Sequence, residues 1–145
     1  MGSTWVLVAD SSHARIFEAE SSRGSLKELT DLIHPESRLH AQKLTSDLPG
    51  RTFDSNGHGR HDLEERTDVK ESEAINFARK INEYLEKSRI KGAFRRLVVA
   101  ATPSFLGILR KTLNSNTSKM VTQEIDKNLV KLDIKDVRKH LPDRI

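Results

Sequence analysis

Two short apolar runs on either side of a polar turn constrain the fold of this chain more than any other feature of its sequence. The first run is Trp5-Val-Leu-Val-Ala, the turn begins at Asp10, and the second run is Ala14-Arg-Ile-Phe. The first run is too short for a typical helix, and its β-branched content is typical of a strand that is buried on both faces. We therefore predict that the domain begins with two antiparallel strands.

The rest of the pattern predicts one more antiparallel strand and then alternating helices and strands. Residues 26–34 follow a short Gly-containing turn, which favours a third strand that ends at Pro35. After residue 70 the predicted elements are a helix with an apolar stripe from 74 to 85, a strand at 97–101, a helix that begins at 103, a turn at 114–118, a strand at 120–125 and a short helix after Asp133. This order predicts a single-domain α/β protein, residues 1–145, in which a mixed sheet carries flanking helices.

Residues 35–70 form a predicted long irregular region. They contain the turn-forming run Leu48-Pro49-Gly50 and the Gly- and Asn-containing run that begins at Asp54. An irregular segment longer than about 15 residues in a compact domain is usually functional or disordered. We therefore expect any activity to lie in this region.

The composition indicates a soluble, cytoplasmic protein. Charged residues make up 32% of the chain, the mean hydropathy is -0.59, and there is no cysteine. The lack of cysteine excludes disulfides, thiolate metal ligands and cysteine nucleophiles, and is consistent with a cytoplasmic location. No apolar run approaches the roughly 20 residues that span a bilayer, and the amino terminus has no secretory pattern.

The basic residues are concentrated in the second half of the chain. The formal net charge is +4, and the stretch from Arg79 to Arg96 carries several lysines and arginines but only Glu83 and Glu86 as acids. Such a cluster faces either an anionic partner such as RNA or simply the solvent, at a helix end where cations complement the dipole. Because no nucleic-acid motif accompanies the cluster, the pattern alone favours the solvated helix face.

Three segments resemble, in order and spacing, the bacterial host attachment protein family. They are the opening segment with Asp10 and Arg15, the segment Asp47-Leu-Pro49-Gly50-Arg51, and the run from Leu97 through Pro103 to Gly107. Members of that family are described as required for attachment to host cells. This description states a phenotype, so the resemblance implies no catalytic residues.

That family is in turn similar to the middle domain of eukaryotic and archaeal peptide release factors, which has a ribonuclease H-like fold. The resemblance implies the same mixed sheet that the element order predicts. In release factors the loop before the helix carries Gly-Gly-Gln, which promotes peptidyl-tRNA hydrolysis. The comparable segment here contains Pro49-Gly50-Arg51 and Gly57-His58-Gly59-Arg60 but no Gly-Gly-Gln. The resemblance therefore does not imply that hydrolytic reaction.

The 44–68 segment supplies the candidate binding residues, which are Arg51, His58, Arg60, His61 and Arg66. Arginines suit phosphate contacts, although neighbouring acids cancel part of their charge. Two histidines three apart in an irregular Gly-rich segment lack the fixed geometry of a zinc site, so a solvated polar loop is the favoured interpretation. We predict no metal site, no cofactor and no catalytic residue.

Two further positions have competing interpretations. Asp10 ends the first strand, where a nuclease of this fold would bind magnesium, but no second carboxylate is predicted beside it. We therefore expect Asp10 to cap its own turn, with Arg15 as an ion-pair partner across that turn. Gly107 lies inside a predicted helix, where glycine costs about 1 kcal/mol relative to alanine, and close packing against the sheet would explain it.

The function that these features favour is a non-catalytic, release-factor-like binding module that contacts RNA or the ribosome through the 44–68 segment and the basic surface. One alternative is a metal-dependent hydrolase or nuclease that uses Asp10, His58 and His61. The other is a protein-interaction factor in host-cell attachment.

Overall fold

The described residues form one mixed five-stranded sheet. The computed structural model describes residues 3–34 and 59–145, and the side chains of 59–68 lie outside this description. The strands are β1 (Thr4–Ala9), β2 (His13–Ala19), β3 (Leu26–Ile33), β4 (Arg96–Ala101) and β5 (Val121–Ile125), in the spatial order β3-β2-β1-β4-β5. The pairs β1–β2 and β2–β3 are antiparallel, whereas β1–β4 and β4–β5 are parallel. The predicted mixed α/β sheet is therefore confirmed.

The central strand β1 is buried along its whole length, as its sequence predicts. Side chains alternate between the two faces of a strand, so Trp5 and Leu7 belong to different layers from Val6 and Val8. The first set joins one apolar cluster and the second set joins another. A continuous apolar run is needed because both faces of the strand are covered.

Four helices cover the two faces of the described sheet. They are α1 (Gly59–Ile90), α2 (Pro103–Thr112), the one-turn α3 (Ser115–Ser118) and α4 (Ile134–Lys139). Helices α1 and α2 pack on the face that carries Trp5, and α4 packs on the opposite face together with Leu129 and Val130.

Two predicted boundaries are wrong. Residues 59–70 belong to α1 and not to an irregular region. The glycines at 57 and 59 are typical of a turn, but the residues that follow them favour a helix. The residues from Asp62 to Arg66 are helix-compatible acids, leucine and arginine, and the acids favour the positive end of the helix dipole. The predicted turn at 114–118 contains α3, because the side chain of Asn114 caps the amide of Asn116 at 2.8 Å.

The predicted Asx turn at Asp10 is present. Its Oδ1 atom accepts hydrogen bonds from the amides of Ser12 at 2.9 Å and His13 at 2.8 Å, which holds the connection between β1 and β2. The carboxylate is therefore engaged in local structure.

The predicted pairing of Arg15 with Asp10 is wrong. Arg15 lies opposite Val8 in the β1–β2 register, and its guanidinium faces the second apolar layer beside the ring of Phe17. It forms an ion pair with Glu28 at 2.9 Å and donates hydrogen bonds to the carbonyls of Val130, at 2.9 Å, and Leu132. Arg15 thus fastens the carboxyl-terminal segment to the sheet.

Candidate functional site: a cleft and a basic edge

The side chains of all five binding residues predicted from sequence lie outside the description. Arg51 and His58, together with the motif residues Pro49 and Gly50, are in the undescribed segment. The structure describes the backbone of the first turns of α1, which contain Arg60, His61 and Arg66, but not the side chains of these residues. Their roles stay predictions.

Helices α1 and α2 run in the same direction along one face of the sheet, since each returns from the carboxyl end of the strands to the amino end of the strand that follows it. Two hydrogen bonds join the carboxyl-terminal part of α1 to α3, which follows α2. Asn82 accepts a bond from the amide of Asn114, the cap of α3, at 2.7 Å, and Glu86 accepts one from the hydroxyl of Thr117 at 2.8 Å. These bonds hold the segment after α2 against α1.

An open cleft of about 890 Å³ lies between the two helices and extends along α2 from Ser104 to Thr112. One end of the cleft is beside the carboxyl ends of β1 and β4, where Ser11 and Ser104 line it. Its apolar lining comes from Ala74 and Ile75 on α1 and from Phe105 and Ile108 on α2. A cleft of this size and lining is typical of small-molecule sites.

Three cationic side chains also line the cleft. Lys70 and Arg79 come from α1 and Lys111 comes from α2, and all three residues are exposed. Glu71 is an acidic lining residue. Within residues 3–34 and the side chains from 69 onward, no carboxylate forms an ion pair with any of the three cations. The lining therefore carries a formal excess of two positive charges.

Gly107 forms part of the wall of the cleft, and the close packing predicted for it is wrong. A Cβ atom built at Gly107 meets no described atom within 4 Å beyond its chain neighbours and the nearby backbone of its own helix. The glycine therefore does not serve a tight contact with the sheet. It leaves the cleft open between the two helices.

A second group of cations lies at the other end of the parallel strands. We call it the basic edge, and it consists of the exposed residues Lys87, Lys91, Arg95, Arg96 and Lys119. The carbonyl of Met120 accepts a hydrogen bond from the amide of Leu97 at 2.8 Å, which brings the start of β5 beside the start of β4. In the described part of the chain, no ion pair involves a residue of the basic edge.

Two other cations of this half of the chain are neutralised within the fold. Arg89 pairs with Glu86, and this bond, with that from Thr117, holds the pKa of the Glu86 carboxyl below its usual value of 4.5. Arg110 pairs with Glu124 on β5 at 2.9 Å, which raises the pKa of the guanidinium. These pairs stabilise helix contacts, so the predicted basic cluster divides into paired residues and the free basic edge.

The alternative metal site receives no support from the described side chains. Among them, no group of three His, Asp or Glu residues comes close enough to hold a metal ion. Of the helices that the structure describes, none has the length and apolar character needed to cross a membrane.

The sheet order and the two helical layers define a class of mixed α/β proteins, and comparison with solved structures identifies a similar fold. The archaeal translation termination factor aRF1 matches 97% of this chain with a TM-score of 0.52 and 14% identity. The chain spans only 35% of the length of that protein. The likeness shows a release-factor-like fold, as predicted.

The sequence also matches a family model. Residues 5–141 match the model described as "Protein required for attachment to host cells", so the chain belongs to this family. An uncharacterised protein of Rickettsia prowazekii (strain Madrid E) is 29% identical over 143 residues, which cover 92% of this chain and 89% of the relative. The family predicted from the three segments is confirmed.

Proposed function

We propose that this protein is a non-catalytic binding module that binds RNA, with ribosomal RNA as the partner. The observation that carries this proposal is the basic edge, where five exposed cations have no ion-pair partner among the described residues. Unpaired surface cations gain free energy on phosphate binding because they release condensed counterions from the nucleic acid. Paired cations would first have to give up their carboxylates.

The arrangement of the basic edge suits a polyanion better than a small ligand. Its members come from the end of α1, the start of β4 and the turn before β5, so they spread over a surface instead of lining a pocket. Of the two acids near Lys87 on α1, Glu86 is paired with Arg89, and Glu83 lies one helical turn before Lys87. Contacts of this kind position a nucleic acid without reading its sequence.

Two further features support the proposal. The similar archaeal protein is a translation termination factor, which makes a partner in translation a reasonable choice. The predicted residues Arg51, His58, Arg60, His61 and Arg66 would add a second contact with the RNA, because the 44–68 segment leads into the amino end of α1 and the basic edge is at its carboxyl end. We place the protein in the cytoplasm for this function, where cell fractionation should find it.

The experiment is a salt titration of RNA binding. Anisotropy of a labelled ribosomal RNA fragment is measured between about 50 mM and about 200 mM salt, and the slope of log K against log salt is compared between variants. The triple variant Arg95→Gln, Arg96→Gln, Lys119→Gln should lose about two units of slope and bind more weakly, because each neutralised phosphate contributes about 0.7 for a single strand.

A matched control keeps the same change of net charge. Lys127, Lys131 and Lys135 are exposed and follow the carboxyl end of β5, away from the basic edge, so their replacement by glutamine should leave the slope unchanged. Equal losses in both triple variants would mean that net charge alone drives binding. No binding of RNA or of bacterial ribosomes at low salt would remove the proposal.

A protein-interaction role in attachment is the second candidate, and the description of the family as required for attachment to host cells favours it. Crosslinking in cells followed by mass spectrometry separates the two. Recovery of protein partners that survive nuclease treatment, without recovery of ribosomal RNA, would favour this role over RNA binding.

A further inference from the structure

We propose that the cleft between α1 and α2 binds a free nucleoside diphosphate. This site is separate from the basic edge and does not depend on RNA binding. The two share no residue, since the cleft is lined by Ser11 and by α2 from Ser104 to Thr112, whereas the basic edge includes Arg96 at the start of β4.

The first argument is the combination of size and lining. The volume of about 890 Å³ is within the range of about 300–1,000 Å³ for small-molecule sites. Ile75 and Ile108 supply apolar surface from the two opposing helices, and Phe105 is buried beneath them. A flat purine base placed between these side chains would bury apolar area on both of its faces.

The second argument is the charge. Arg79 on α1 and Lys111 on α2 bring cations to both walls, and Lys70 adds a third. Glu71 offsets one of these charges, so the lining favours a ligand with two or more negative charges. A diphosphate meets this requirement, whereas an uncharged nucleoside does not.

The third argument is Gly107. Glycine inside a helix lowers helix stability, and among the residues that the structure describes no close contact requires the missing side chain. A larger residue at this position would project into the cleft that Gly107 lines. The position therefore keeps space for a ligand at a cost to the stability of the helix.

The hydroxyls of Ser11 and Ser104 complete the polar part of the lining. They lie at the carboxyl ends of β1 and β4, which is the edge where open α/β sheets generally bind ligands. Hydroxyls can donate and accept hydrogen bonds, so they suit the ribose. The cleft thus offers apolar, cationic and hydroxyl groups for the base, the phosphates and the sugar.

Calorimetric titration of the full chain with ADP and GDP tests the proposal. We expect saturable binding of at least one of them, and weaker binding of inorganic pyrophosphate because it lacks the base. Arg79→Gln and Lys111→Gln should each weaken binding about tenfold or more, as expected when a charged hydrogen bond is lost. The basic-edge triple variant should bind the diphosphate as the unmodified protein does.

Substitutions at Gly107 provide the steric test. Gly107→Leu should abolish binding, whereas Gly107→Ala adds one methyl group and should weaken it less than about fivefold. Both variants must retain the fluorescence of the single, buried Trp5 and a cooperative thermal transition, which shows that the fold is intact.

Three results would overturn the proposal. They are that neither ADP nor GDP binds, that pyrophosphate binds as tightly as ADP, and that a folded Gly107→Leu variant still binds the nucleotide. If neither diphosphate binds and Gly107→Leu loses RNA binding, the cleft is instead part of an RNA path. RNA binding that fails while ADP binds would remove only the proposed function.

Discussion

Gly107→Ala should stabilise this protein, although the same substitution at another glycine should destabilise it. Gly107 lies within α2, and a Cβ atom there meets no described atom within 4 Å beyond its own helix and chain neighbours. Alanine gains about 1 kcal/mol over glycine in a helix interior, mainly because it reduces the entropy of the unfolded chain. No steric cost opposes this gain, so the expected change in the free energy of unfolding is about +1 kcal/mol.

The corresponding shift in Tm follows from the size of the chain. An unfolding entropy of about 2.1 cal/mol/K per residue gives about 0.3 kcal/mol/K for 145 residues. A gain of about 1 kcal/mol therefore raises Tm by about 3 °C. The fluorescence of Trp5 is a suitable signal, because it is the only tryptophan and packs on the ring of Phe94 with a centroid distance of 4.8 Å.

Gly92→Ala is the matched control. Gly92 ends α1 with a φ of 76°, and the bonds from its amide to Arg89 and from the amide of Ala93 to Ser88 form a Schellman cap. A non-glycine residue in this left-handed conformation costs about 1–2 kcal/mol, so Tm should fall by about 3–6 °C. If Gly107→Ala instead lowers Tm by as much as Gly92→Ala does, the helix is closely packed at that position and the argument for an open cleft is refuted.

Substitutions at three other positions test contacts that stabilise the fold. Arg15→Met should lower the free energy of unfolding by about 3 kcal/mol in urea titrations, because the carbonyls of Val130 and Leu132 lose charged donors, and a loss below about 1 kcal/mol would contradict this role. Asp10→Asn should keep stability within about 1 kcal/mol because it keeps an acceptor for the turn, whereas Asp10→Ala should lose about 1–2 kcal/mol; equal losses would argue against the Asx turn. Glu86→Gln should flatten the dependence of stability on pH. The pKa of the Glu86 carboxyl is lower in the folded than in the unfolded protein. The stability that the ionised carboxylate contributes is therefore complete above the unfolded pKa near 4.5 and is lost as the pH falls through the folded pKa. If the slope of stability against pH below pH 5 is the same in the variant as in the unmodified protein, this linkage is contradicted.

The sheet could be predicted from sequence because its signals are local. The apolar run at Trp5 and the run at Leu97 each specify a strand buried on both faces, and Pro103 marks where α2 begins. The start of α1 was misplaced because two glycines near residue 58 are typical of turns, although the acidic residues after them support a helix.

The cleft could not be predicted because its parts are distant in the sequence. Arg79 and Lys111 are brought to one site only by the packing of α1 against α2, and no spacing rule connects them. A glycine inside a predicted helix, such as Gly107, is unusual, but sequence alone does not distinguish a glycine that permits a close contact from one that keeps a space open. The sequence also does not predict which cations of the basic cluster form ion pairs. Glu86 neutralises Arg89, whereas Arg95 has no ion-pair partner among the described side chains.

The cleft approaches the basic edge along α2. Ser104 lines the cleft at the carboxyl end of β4, whereas Lys111 and Thr112 line it at the carboxyl end of α2, from which the chain leads to Lys119. The ten residues of α2 extend about 15 Å at about 1.5 Å per residue, so the distance from the basic edge to a ligand depends on where along α2 the ligand lies. The Debye length is about 8 Å at physiological ionic strength, so exposed charges farther away than this are largely screened. The Arg95→Gln, Arg96→Gln, Lys119→Gln variant is therefore expected to bind ADP as the unmodified protein does at physiological salt, and a lower affinity there would show that a ligand in the cleft reaches the basic edge.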